Sequence, residues 1–428
     1  MDLTPLPFCA SLDQYQNQAK DLLKAIGSGD PEAVQCIKQY HPPLPGRANS
    51  TERDKLSDSE IRSAKVCLAD AQFVVARWYG FENWSKLAEF VAAVIRQGSA
   101  VAQFESAVEA VITGDMATLE SLLRENPKLV QARSMRELGA TLLLYVGANL
   151  VEGYRQKSPK NSVEVATMLL KAGAEVDAVP KAGGFGTTLG QVATSVHTAR
   201  AGVQIALMET LLDHGAAIEG APGGYQTLTA ALANGRPQAA EFLAQRGARL
   251  DLEGAAGVGR LDLVHSFFHE DGNLKANATR EQMESGFIHA CLYGRTSVAE
   301  FPLDEGVDPA AGANVGQTGL HLAAHGGHLD TVKMLLQRKA PLEVPNIYGG
   351  TVLGQATWSV MNGDPGTDYV PIIEVLLDAG AKVEAANYTT GNEHVDELLR
   401  RAGAKVEAAN YPTGNEHVDE LLRRHGAK

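Results

Sequence analysis

Three histidines, His321, His325 and His328, stand at i, i+4 and i+7 in the stretch GQTGLHLAAHGGHLDTVKMLLQRKAPLEV, residues 316–344. On one helical face this spacing turns three imidazoles toward a common point. Three nitrogen ligands with a water in the fourth position make a catalytic zinc site. The neighbouring residues argue against that chemistry, because Gly326 and Gly327 break the helix that would have to hold the geometry. No metal is expected. No other stretch supplies a reaction: HExxH, GxSxG and the P-loop are absent, and the glycine-rich AGGFGTT (182–188) lacks the lysine and reads as a turn. No nucleophile–base pair is evident, so catalysis stays the second reading and no cofactor is expected.

The chain as a whole narrows the classes further. Its 428 residues carry a net charge of −13 with no long run of Lys and Arg, which disfavours nucleic acid and anionic membrane as partners. Four cysteines without a CxxC pair do not make a disulfide framework and suit a reducing compartment. The start MDLTPLPFCASLDQ lacks the basic and apolar regions of a signal peptide. The most apolar segment, ATLLLYVGANLV (140–151), is too short to cross a bilayer. A soluble, cytoplasmic protein is expected.

The elements that must position the histidines repeat along the chain. Leu320, Ala323 and Ala324 mark one helix, and Leu329, Val332, Leu335 and Leu336 mark a second across the glycine break. Related patterns occur at 108–134, 140–178, 187–220, 251–268, 286–309 and 350–385. The endings AGAEVDA, HGAAIEG, RGARLDL, EGVDPAA and AGAKVEA each fit an outer helix closed by glycine, and Lys339 fills that glycine slot in the histidine repeat. This pattern resembles the ankyrin repeat, a β-turn finger followed by an inner and an outer helix. The resemblance runs from about residue 103 to the end. It is closest to a bacterial subgroup with a leading helical segment like LADAQFVVARWYGFENWSKLAEFV (68–91) and long-looped repeats.

The resemblance implies an all-α-dominated solenoid and a habit of binding rather than a substrate. It gives His321 a structural role, bonding backbone near the finger and tying neighbouring repeats. It places His328 at the turn before the outer helix, and leaves His325 on the concave face. Leu144 stands where the pattern often has histidine, which would cost that repeat one tie. Pro302 stands inside an outer helix where the pattern wants leucine.

Three repeats are longer than the template between inner and outer helix, at 151–162, 195–202 and 361–371. Loops of this length in compact repeats are either functional or packed against something. Tyr154, Arg155, Gln156, His197 and Arg200, with Tyr369 from the third insertion, would line a small-molecule pocket in which Arg155 clamps an anion. In the alternative the loops pack on the N-terminal helices, with Arg155 satisfying backbone carbonyls.

Residues 11–40 and 57–97 read as helices, with a capping-box signature at Ser57 and Glu60 and an apolar face at Val66, Ala69, Phe73 and Ala76. Trp78, Tyr79, Phe81 and Trp84 surround Gly80, where the chain turns back. PPLPGRANSTERD (42–54) reads as a linker. At the other end residues 379–401 recur at 402–424 with one change, Thr389 to Pro412. The expected organisation is a helical domain over 1–98 capping the array, about seven repeats over 103–383, and a duplicated cap over 384–428. The expected function is recognition of a partner protein, basic or mixed in charge, through Asn314, Gln317, His325 and Tyr348. A small molecule bound by the inserted loops is the alternative.

Overall fold

The computed structural model describes residues 3–40, 66–96, 98–149, 151–181, 186–224, 226–313, 315–383, 390 and 392–402. Asn314, the linker at 42–54, the Ser57–Glu60 signature and all but the first residue of the second C-terminal copy lie outside these residues. The chain divides into two compact units, Met1–Ala239 and Ala240–Lys428.

Among the described residues the first unit opens with the helices Leu12–Gly27, Pro31–Tyr40, Leu68–Trp78 and Trp84–Val94. Tyr15, Leu22, Ile37, Val74, Leu87 and Phe90 build their common core. The turn at Gly80 forms as its residue type suggests, at φ +80°. The buried face of the third helix shares only Ala76 with the expected one. Ala71, Val74, Val75 and Ala76 are buried, while Ala69 is exposed and Phe73 only partly covered. Tyr15 meets Tyr79 edge-on with ring centroids 4.9 Å apart. That contact requires the side of the helix carrying Tyr79 to face inward.

Helix pairs follow. In the first unit they are Ala100–Thr113 with Met116–Glu125, Leu142–Val146 with Ser162–Lys171, and Thr188–Thr194 with Gln204–Asp213. The pair Thr227–Ala233 and Pro237–Gln245 precedes the ending RGARLDL and spans the division between the units. In the second unit they are Leu252–Gly257 with Leu261–Ser266, Arg280–Leu292 with Thr296–Asp304, Gly319–His325 with Leu329–Gln337, and Val352–Asn362 with Val370–Asp378. The helix Glu393–Arg401 comes last among the described residues. Phe287, Leu320, Leu335, Leu353, Ile373 and Leu376 run through the core of the second unit. Among the described residues extended pairing is limited to isolated bridges, such as Gly312 with Thr318 in a finger. No helix there is long and apolar enough to cross a membrane.

Among the described residues, six outer helices close at a slot whose backbone is left-handed. Gly173, Gly215, Gly247, Gly306 and Gly380 take φ between +83° and +94°. Lys339 occupies the same slot at φ +59°. A residue with a Cβ is strained there by roughly 1–2 kcal/mol. The replacement Lys339→Gly is expected to raise the unfolding free energy of this unit by about 1 kcal/mol in urea titration. Pro302 sits inside the helix Thr296–Asp304 and is buried, so its missing N–H leaves a rung empty in a packed helix. Pro302→Leu is expected to raise Tm, by an amount set by up to about 3 kcal/mol of recovered helix stability less any overpacking.

Candidate functional site

The three histidines diverge instead of converging. Thr318 N donates to His321 Nδ1 at 3.2 Å, which makes Nε2 the protonated nitrogen, and Nε2 donates to Gly350 O of the next finger at 3.2 Å. His328 Nε2 donates backwards to Leu292 O, the last carbonyl of the preceding inner helix, at 2.9 Å. Burial lowers the pKa of both, so they serve as neutral donors. Among the described residues no group of three or more His, Cys, Asp or Glu side chains is placed to hold a metal.

His325 faces a groove of about 690 Å³ on the inner-helix and finger side of the second unit. Gln317 and Tyr348 line the same groove, so the structure brings together three of the four residues expected to contact a partner. Asn346, Gln355 and Trp358 complete it with Gly349, Gly350 and Gly354. Trp358 had escaped the sequence reading. Its signal was present: it falls one repeat after His325, on the same inner-helix position.

The groove is fixed by its own hydrogen bonds. Asn346 Oδ1 accepts from Tyr348 N at 2.9 Å and Gly350 N at 3.0 Å, and Asn346 N donates to Gly350 O at 3.0 Å. That closed turn holds the Tyr348 ring outward, 80% exposed. Gln317 Nε2 donates to Gln355 Oε1 at 2.9 Å, bridging two repeats. The Ser359 hydroxyl donates to Gln355 O at 2.9 Å and takes His325 Nδ1 as its own donor, also at 2.9 Å. This leaves the lone pair on His325 Nε2. Burial lowers the His325 pKa, so the ring is neutral near pH 7. The Trp358 ring lies 5.9 Å from the imidazole and is 46% exposed. Two aromatic faces and neutral amide groups suit recognition of a chain segment.

The inserted loops are built differently. Arg155 is buried, with Nη2 3.0 Å from Glu105 Oε2 and Nε 3.0 Å from Glu152 Oε2. Arg136 closes the ring: Nη1 donates to Glu105 Oε1 at 2.6 Å, and Nε stands 3.6 Å from Glu152 Oε1. Tyr145 OH donates to the same Glu152 oxygen at 2.9 Å. Two carboxylates and two guanidiniums therefore alternate in a neutral, buried quartet. Burial acts to raise the Glu105 pKa, but Arg136 and Arg155 hold it below the ordinary carboxylate value. The guanidinium that would have clamped an external anion is committed to carboxylates of its own chain, and carbonyls are not its main partners either. Tyr154 stacks on Trp78 at 4.9 Å, so this loop does pack on the N-terminal helices. Gln156 donates to Val151 O within the loop at 2.6 Å.

The remaining insertions are pinned to the repeat before them. Ser195 Oγ donates to Ala148 O at 3.2 Å, starting a short helix Val196–Arg200 on which His197 is half-buried and Arg200 exposed. Tyr369 belongs to the second unit, is buried, and donates its hydroxyl to His325 O at 3.1 Å.

A family model agrees with this architecture over part of the chain. A family model described as ankyrin repeats (3 copies) matches residues 252–346 and 287–387. Among solved structures, the chain is similar to the human ASB11 ankyrin repeat domain at 18% identity, covering 64% of this chain and 98% of that one, with a TM-score of 0.34. No curated protein matches it. The fold is the all-α ankyrin-repeat solenoid. Residues 252–387 of this chain match ankyrin repeats.

The quartet generates its own expectation. Arg155→Met strands buried carboxylate charge and should cost about 3–5 kcal/mol in urea unfolding of the first unit. Because the folded Glu105 pKa is depressed, its contribution is present above the unfolded carboxylate pKa and is lost as pH falls through the folded value. Glu105→Gln should therefore flatten the acid limb of the stability–pH curve, as measured by urea midpoints at successive pH values.

Proposed function

We propose that this protein is a protein-binding scaffold whose partner docks on the inner-helix and finger face of the second unit. The observation that carries the reading is the exposure of Tyr348 and Trp358 on one groove, beside the side chain of Gln317 and the neutral ring of His325. Large aromatics left substantially exposed around a polar-rimmed hollow act as anchors in protein interfaces, where Trp and Tyr carry much of the binding energy. Ankyrin repeats generally bind proteins, which supports the same reading. The partner is basic or mixed in charge, in keeping with the chain's net charge of −13. The long inter-helix loops support placing the chain in the bacterial subgroup with such loops, and four free cysteines support a cytoplasmic setting.

Cross-linked capture from native lysate tests it with three proteins: the unmodified chain, Tyr348→Ala with Trp358→Ala, and His197→Ala with Arg200→Ala. Loss of a captured protein with the aromatic pair alone, amounting to about tenfold or more, is the expected result. If the loop variant alone changes what co-purifies, the small-molecule reading of the inserted edge replaces this one.

A further inference from the structure

The last described helix of the second unit, Glu393–Arg401, is held in place by groups that occur twice in the chain. Val395 and Leu399 are fully buried, in the core that includes Ile373 and Leu376 of the helix Val370–Asp378. Asp396 is buried with them, and its Oδ1 accepts from Thr390 N at 2.7 Å and from Thr390 Oγ1 at 2.8 Å. Asn392 Oδ1 caps the helix start, accepting from His394 N at 3.1 Å and Val395 N at 3.2 Å. His394 Nε2 stands 3.9 Å from Glu374 Oε1 on the supporting helix. The second copy repeats every one of these side chains, as Thr413, Asn415, His417, Val418, Asp419 and Leu422. The one difference between the copies, Thr389 against Pro412, alters none of them.

Among the described residues the outward side of the first copy offers no second seat. It presents His394, Arg400 and Arg401, all exposed. An apolar set such as Val418, Leu421 and Leu422 gains little by lying on charged side chains, whereas the seat on Val370–Asp378 already buries the same residue types in the same order.

We propose that the seat on the helix Val370–Asp378 accepts either copy, so that residues 413–424 replace residues 390–401 of the same chain in a minority of molecules. The seated groups are the same in both arrangements, and the balance is set by the connection. From Val383 that connection runs over 384–389 with the first copy seated and over 384–412 with the second. The cost of closing a connection grows as three-halves of the logarithm of its length, which favours the first copy by about tenfold. The end of the array is thus a cap with two positions, which differ in the stretch of chain left outside the seat.

The test uses the full chain and a short bismaleimide. Glu374→Cys is combined with His394→Cys or with His417→Cys, and Glu374→Cys alone gives the background from the native cysteines. Both pairs are expected to link within one chain, the His417→Cys pair with an initial rate about tenfold lower. Adding Val395→Asp and Leu399→Asp should empty the seat and raise that rate about tenfold, while Val418→Asp with Leu422→Asp should abolish it. Rapid linking of the His394→Cys pair shows that the seat is intact. Absence of His417→Cys linking above background would overturn the proposal. So would linking that survives Val418→Asp with Leu422→Asp, which marks chance collision. Linking only between two molecules would overturn it as well, and assign the second copy to the seat of another chain.

Discussion

Every α-helix ends in carbonyls that have no partner within it, and inner helices packed in a stack cannot leave all of theirs to water. This chain meets the demand from the following repeat. Ala148 O receives Ser195 Oγ, Ser195 O receives Arg236 Nε at 3.4 Å, Leu292 O receives His328 Nε2, and His325 O receives Tyr369 OH. Four donors of different chemistry meet the same requirement at the same place. Two of them, Ser195 and Tyr369, stand on the inserted segments, which gives those insertions a structural task.

The first insertion answers a different requirement. It carries Glu152 and Arg155 under the first repeats, where Arg136 reaches the carbonyl of Tyr79 at 3.1 Å and lies over the rings of Phe81 and Phe90. The quartet therefore joins side chains from the first pair, the segment after it and the long loop, and Arg136 packs it against the leading helices. A buried ion cluster adds little net stability over an apolar core. It does specify geometry, because each guanidinium has to meet two carboxylates at once.

The helix pairs and closing glycines were legible because they rest on local chemistry: apolar spacing along a helix, and a left-handed backbone that favours glycine. Lys339 was legible as an exception for the same reason. The roles of His321 and His328 followed from the repeat pattern, and their bonds to neighbouring repeats agree with it. Leu144, in the histidine position, is fully buried, and the nearby Thr141 hydroxyl is buried without a hydrogen-bond partner. The Arg155 environment was not legible. Its partners Glu105 and Glu152 include one 50 residues away, and no spacing rule links them. Trp358 lies in the repeat at 350–385 and was legible only through its register with His325.

The direction of the helix-end bonds has a consequence for how such a chain is made. In all four cases the carbonyl comes first in the sequence and its donor later. A ribosome releasing the chain from the N-terminus thus exposes these four helix ends open, and a segment that emerges later brings the group that closes each. Assembly and synthesis run the same way, so each new repeat seals the one already folded.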